Sequence, residues 1–236
     1  MSVEPRRTES DSGGWRQEGA SQPQLEVLAR GPWPLEHVSA RWREEHFEPS
    51  GANAKAADEA IASLRDRGSP SHDGLAARLV DYRETEDALA FELQPLRWAL
   101  RLVEGDASHS VAALCLVRSA DGRWLAGRRA AWLASWAGRW ALGAGGAVDL
   151  GENPADTLAR ELHEEWSVSP ERIRGEALLR LPHGMVMFVG QAWLTAGAEV
   201  HRDPEHDAHA WWPKEIERWP SEATEPLRRM AYWLGE

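Results

Sequence analysis

From Leu25 onward the chain alternates apolar-patterned stretches with polar ones, and the pattern predicts strands and helices in mixed order. LEVLAR (25–30) reads as a strand, WPLEHVSARWREEHF (33–47) as a helix, and NAKAADEAIASLRDR (53–67) as a second helix ended by Gly68 and Pro70. LAARLVDYRET and ALAFELQPLRW follow as two strands around a tight acidic turn. HSVAALCLVR (109–118) is nearly continuous in apolar residues, as a buried strand is; SADG turns it and RWLAGRR returns. The glycine-rich WALGAGGAV (140–148) then leads toward a helix over 154–166, for which Asn153 suits the N-cap and Pro154 the first helical position. EALLRL and GMVMFVGQAWL are strand-like, AGAEVHRDPEHDAH (196–209) reads as a polar loop before AWW, and SEATEPLRRMAYWL as a closing amphipathic helix. This mixed order indicates an α/β or α+β sandwich.

The same pattern divides the chain. Residues 1–23 are rich in Ser, Gly, Glu, Arg and Gln without apolar periodicity, which predicts a disordered tail. Residues 24–105 form a candidate small α+β N-terminal domain. The polar stretch EGDASHS (104–110) marks a boundary, and the remainder, 108–236, is a second domain.

Composition narrows the functional classes. A formal net charge of -11 argues against a nucleic-acid backbone binder, which concentrates Lys and Arg, but not against a small anionic substrate held through a metal cation. One cysteine, Cys115, permits no internal disulfide and no cysteine-based zinc site, as in a reducing compartment. The N-terminal stretch shows no apolar leader, and no apolar run reaches membrane-span length, so the expected location is the cytoplasm. Fourteen tryptophans are mainly candidates for packing, with a few available as flat walls of a pocket.

The chemistry concentrates in RELHEEWSV (160–168). On a helix, Ala155, Leu158, Leu162 and Trp166 share one stripe, and Glu161, Glu164 and Glu165 the adjoining one, bordered by Arg160. Carboxylates three and four residues apart repel each other. Either water screens them on an ordinary exposed face, or a divalent cation such as Mg²⁺ converts the repulsion into attraction, since hard oxygens are its preferred donors.

Upstream spacing favours the second reading. Gly146 is followed by five residues and Glu152, and Glu152 by seven and Arg160, giving G-x5-E-x7-R-E-L-x-E-E-x-S-V through Val168. This stretch, GAVDLGENPADTLARELHEEWSV, resembles the signature box of the Nudix hydrolase superfamily, with Ser167 replacing the penultimate glycine. The lead-in RRAAWLASWAGRWALGAG is similar to the family's arginine, aromatic and double-glycine approach, although Ala144 stands where many relatives have proline. The resemblance covers about 108–236. It implies an α/β/α sandwich around a mixed sheet, and Mg²⁺- or Mn²⁺-dependent hydrolysis of a nucleoside diphosphate linked to another group.

Residue by residue, the resemblance implies that Glu161, Glu164 and Glu165 hold metal together with the Gly145 carbonyl. It implies that Glu152 and Arg160 pair to hold the loop against the helix. The general base stays open between Glu161 and an acid outside the box, for which the loop of Glu205, Asp207 and His209 is a candidate; the alternative for that loop is a solvated hairpin. Arg128, Arg129 and His209 are candidates to meet phosphates, and Trp211 or Trp212 to stack a base. Ser167 predicts an altered helix exit with catalysis retained. A nucleotide sugar or related compound is the preferred substrate, from a loose likeness of residues 73–98 to the small β-containing domain of some nucleotide-sugar hydrolases. A homodimer is a further expectation, with the N-terminal part as its interface. Two alternatives compete. An isopentenyl-diphosphate isomerase of the same fold needs a cysteine in the glycine-rich segment, which has none. A non-catalytic nucleotide-binding sensor would normally lack box carboxylates, which here are all present.

Overall fold

In the computed structural model, residues 25–69, 73–103, 109–133 and 135–235 are described. The expected disordered tail (1–23) and most of the expected boundary segment lie outside them.

One large mixed sheet runs in the order β1 (Glu26–Pro34), β9 (Arg172–Arg180), β10 (Val186–Trp193), β5 (Val111–Arg118), β6 (Trp124–Arg129), β11 (His206–Trp212). The short β7 (Trp140–Leu142) pairs with β6, and β8 (Ala144–Ala147) with β5. β5 and β10 run parallel from Val111↔Val186 to Arg118↔Trp193, while the other pairings are antiparallel. Successive side chains of β5 point to opposite faces of the sheet. Val111, Ala113, Cys115 and Val117 enter the core beneath α2 (Pro154–Trp166), while Leu116 enters the core beneath α3 (Glu225–Gly235). Burying both faces explains why HSVAALCLVR reads as continuously apolar. Helices cover both sides, so the architecture is the expected α/β/α sandwich. Cys115 is a buried packing residue whose thiol is pushed far up by desolvation, with Glu176 adding to the shift.

The N-terminal part supplies α1 (Gly51–Asp66) and a second sheet in the order β2 (Val38–Trp42), β4 (Leu89–Arg97), β3 (Leu75–Glu84). β1, in contrast, lies on the edge of the large sheet against β9. The helix expected over 33–47 is not there: the chain makes a short 3-10 turn over Leu35–His37 and then β2. Val38 and Trp42 lie opposite Leu89 and Leu93 in a parallel ladder, and the two-residue alternation of Val38, Ala40 and Trp42 serves that pairing. Likewise, the polar stretch expected as a loop to residue 209 becomes β11 at His206, because β6 offers an open edge. No helix among the described residues is long and apolar enough to cross a membrane.

The small sheet braces the loop that precedes α2. The Ala77 amide donates to the Val148 carbonyl (2.8 Å) and Leu150 to Leu75 (3.2 Å). Trp42 Nε1 donates to the Glu152 carbonyl (2.9 Å), and Asn153 Nδ2 to that of Val38 (2.7 Å).

Candidate active site

Helix α2 begins and ends as its sequence dictates. The Asn153 side chain accepts from the Ala155 amide, and Pro154 takes the first turn, where a missing N–H costs nothing. At the far end Ser167 adopts the left-handed conformation (φ 53°, ψ 35°), its amide donating to His163 and Leu162. The helix exit therefore keeps the geometry a glycine would give, correcting the expected alteration; the capping hydrogen bonds offset the strain.

Leu158, Leu162 and Trp166 are fully buried, which turns the adjoining carboxylate stripe inward along its edge. Glu161 and Glu165 are 8% and 3% exposed, whereas the Glu164 carboxylate stands in solvent. Arg160 organises the group. Its guanidinium grips Glu152 through Nε (2.7 Å to Oε1) and Nη2 (3.1 Å to Oε2), and donates from Nη2 to the Ala147 carbonyl (3.1 Å). Nη1 reaches both Glu161 Oε1 (2.8 Å) and Glu164 Oε2 (2.9 Å). Glu152 also accepts from Thr157 Oγ1 (2.8 Å) and the Asp149 amide (3.2 Å), so loop and helix are clasped together. Burial opposes the Arg160 charge, but Glu152, Glu161 and Glu164 outweigh it and hold the group firmly protonated.

Glu165 is the most strained member. The Gly145 amide donates to its Oε1 (3.0 Å), yet Oε2 is buried without a hydrogen-bond partner. Desolvation pushes its pKa well above the ordinary carboxylate range, Glu161 adding to the rise. Glu161 is raised for the same first reason, with Arg160 opposing and Glu164 adding. Gly146 closes the cradle: a Cβ there would fall 2.1 Å from Glu161 Oε1. Nearby Gly143 (φ +68°) is equally obligatory, since a Cβ would lie 1.8 Å from the Cys115 carbonyl oxygen.

Several contributors escaped sequence reasoning. His206 is 1% exposed, lies against Trp166 (centroids 4.5 Å apart), and places Nε2 3.7 Å from Glu165 Oε2 and Nδ1 3.3 Å from Asp203 Oδ1. Gly127 makes room for it, because a Cβ there would lie 2.3 Å from the imidazole. The loop is laced to the helix end by His201 N donating to Trp166 O and Asp203 N to Glu165 O, both 2.9 Å. Nothing in HRDPEHDAH distinguishes His206 from its neighbours until the β6 pairing is known.

Of the loop acids, Glu205 pairs with Arg129: burial raises its pKa, Arg129 opposes, and Asp203 and Glu164 add to the rise. Asp207 instead forms an exposed pair with Arg128 (2.6 Å). Neighbours in a strand point to opposite faces. Arg129 accordingly lies on the acidic side, 3.9 Å from Glu205, while Arg128 does not. His209 sits edge-on to Trp166 (5.9 Å), and Trp212 is core. Trp211 is five residues along β11 from His206, about 16 Å away at strand rise. It borders a hollow of about 260 Å³ with Arg123, apart from the acids.

Among the described residues, no three His, Cys, Asp or Glu side chains converge in a metal-holding arrangement, and Arg160 Nη1 bridges Glu161 and Glu164. The donor chemistry nevertheless fits a divalent cation. Two desolvated carboxylates lie side by side, one oxygen lacks a partner, and a side-chain-free backbone approaches them.

A mixed sheet sandwiched by helices thus carries an acid-rimmed loop–helix clasped by Arg160. The family model described as the NUDIX domain matches residues 108–234. The chain belongs to the Nudix family and is a Nudix-type pyrophosphohydrolase. Nudix hydrolases generally use divalent metals such as Mg²⁺. Among solved structures, the MutT protein of Methanosarcina mazei Go1 is similar at 24% identity, over 53% of this chain and 92% of that one (TM-score 0.42). A C. elegans Ap4A hydrolase is similar at 19% identity over 53% and 93% (0.41). DR0079 from Deinococcus radiodurans is similar at 17% over 66% and 98% (0.48). No curated protein matches the chain.

Proposed function

We propose that the protein is a divalent-metal-dependent hydrolase that cleaves the pyrophosphate of a nucleoside diphosphate linked to another moiety, a nucleotide sugar or related compound. The observation that carries this reading is the buried Glu165 carboxylate, its Oε2 unpartnered beside Glu161 under Gly145 and Gly146. An uncompensated carboxylate in that position is costly unless a proton or a cation joins it, and a cation does so without neutralising the group by protonation.

Glu161, Glu164 and Glu165, with the Gly145 carbonyl, would hold Mg²⁺ or Mn²⁺. Bound there, such an ion would supply Lewis acidity toward phosphoryl oxygens and lower the pKa of water. Arg160 aims the carboxylates and shields them from one another. Arg129, at the edge of the cluster, neutralises phosphate charge. Glu205 removes the proton from the attacking water. Glu161 is less suited, because its Oε1 is taken by Arg160. The raised pKa of Glu205 brings it closer to neutral working pH, as a general base requires. The division near residue 105 is read as one of roles: chemistry from 108 onward, with the preceding part bracing and flanking the site.

A panel of nucleotide sugars, dinucleoside polyphosphates, ADP-ribose and (d)NTPs, assayed with Mg²⁺ or Mn²⁺, tests the reading. Glu164→Gln should lower kcat by about 100-fold or more with an unchanged circular dichroism spectrum. Full activity in that variant would sink the site assignment.

A further inference from the structure

Arg101 lies outside the box, on the 3-10 turn Trp98–Leu102 that ends the N-terminal part. That turn is firmly held. Asp73 accepts from the Ala99 amide (2.9 Å) and pairs with Arg97, Trp98 N donates to the Gly74 carbonyl (2.8 Å), and Ala99 and Leu100 are fully buried. The same small core receives Ala147, whose carbonyl Arg160 grips and whose neighbour Gly146 lies against Glu161. The turn is thus packed directly beside the acidic cradle.

Arg101 is half-buried, its guanidinium 5.5 Å from the centre of the Trp98 ring, and among the described residues its one hydrogen bond goes to Met185 Sδ (3.4 Å), a weak acceptor. Among the described residues no carboxylate lies within ion-pair distance of it. Desolvation lowers its pKa; the charge of Glu161 partly restores it and that of Arg129 opposes. A guanidinium stays charged in proteins, and the charge of Glu161 offsets only part of the cost of burying this one. Its planar fork suits two phosphate oxygens at once.

We propose that Arg101 is a substrate-binding residue, contributed by the N-terminal part to contact the pyrophosphate anion of the substrate beside the cradle. The inference rests on the pyrophosphohydrolase reading. It also gives the N-terminal part a role in recognition. Because the turn is rigid, the contact is pre-organised and little ordering entropy is lost on binding.

The test is calorimetric titration of imidodiphosphate, an uncleavable pyrophosphate, into the full chain with Mg²⁺ present. Arg101→Gln should weaken anion binding about tenfold, and Arg101→Lys, which keeps charge but loses the fork, about threefold. Mg²⁺ uptake without the anion and the thermal midpoint should match wild type for Arg101→Lys, which decides the matter if the Gln variant folds poorly. In hydrolysis, KM should rise and kcat hold. Wild-type affinity in both variants overturns the inference while leaving the hydrolase reading intact. A wild-type protein that neither binds imidodiphosphate nor cleaves any pyrophosphate overturns both.

Discussion

Ser167 shows how one residue departs from a family pattern without changing the outcome. At the end of α2 it takes a left-handed conformation that costs a side-chain-bearing residue about 1–2 kcal/mol. Two carbonyls, of His163 and Leu162, are satisfied in return. Since Ser167 touches no acid of the cradle through its side chain, Ser167→Gly should relieve strain alone. Chemical denaturation should show a gain of about 0.5–1 kcal/mol, less the backbone entropy glycine loses on folding, with kcat unchanged. Gly146 and Gly127 illustrate the opposite case, where any side chain would collide with Glu161 or His206.

At the scale of the element, α2 carries two conflicting jobs. Its apolar stripe must be buried for the sandwich to close, and this drags Glu161 and Glu165 out of water with it. Their pKa values are raised mainly by that desolvation, above the usual glutamate value of 4.5. A carboxyl raised on folding holds more protons in the folded chain than in the unfolded one between its two pKa values. Stability therefore falls as pH rises through that interval, starting near 4.5 and running upward. Metal-free protein should lose thermal stability from about pH 4.5 toward neutrality in this respect, and Mg²⁺ should cancel the loss. Glu165→Gln removes the buried charge and lets an amide face His206. In EDTA at neutral pH it should be more stable than wild type by about 1 kcal/mol or more, yet gain nothing from Mg²⁺. Melting curves with and without the ion check both statements.

Across the whole molecule, the N-terminal part and the catalytic sheet share one core. Phe188 of β10 packs edge-on to Phe91 of β4 (5.7 Å) and alongside Trp33 of β1 (6.4 Å), so one ring joins both sheets. Leu79, Leu89 and Leu93 lie in the same cluster as Leu158 and Trp166 of α2. Phe188→Ala should cost about 3–5 kcal/mol. Far-UV dichroism and tryptophan fluorescence should report one coincident unfolding transition for wild type; two separate transitions would show that the sheets unfold independently.

The box spacing, the start of α2 at Asn153–Pro154 and its apolar stripe were legible in the sequence, because caps and helical periodicity act over a few residues. The buried strand β5 was legible too, since only an element covered on both faces tolerates so continuous an apolar run. What 33–47 would become, and that a polar stretch would turn into β11, depended on edges offered by β4 and β6, which no local pattern contains. The approach of His206 to Glu165, and of Arg129 to Glu205, was likewise decided by tertiary structure. Helix α2, β6 and the start of β11 are distant in sequence, and burial, the physical quantity that gives such charges their force, exists only once the chain has closed around them.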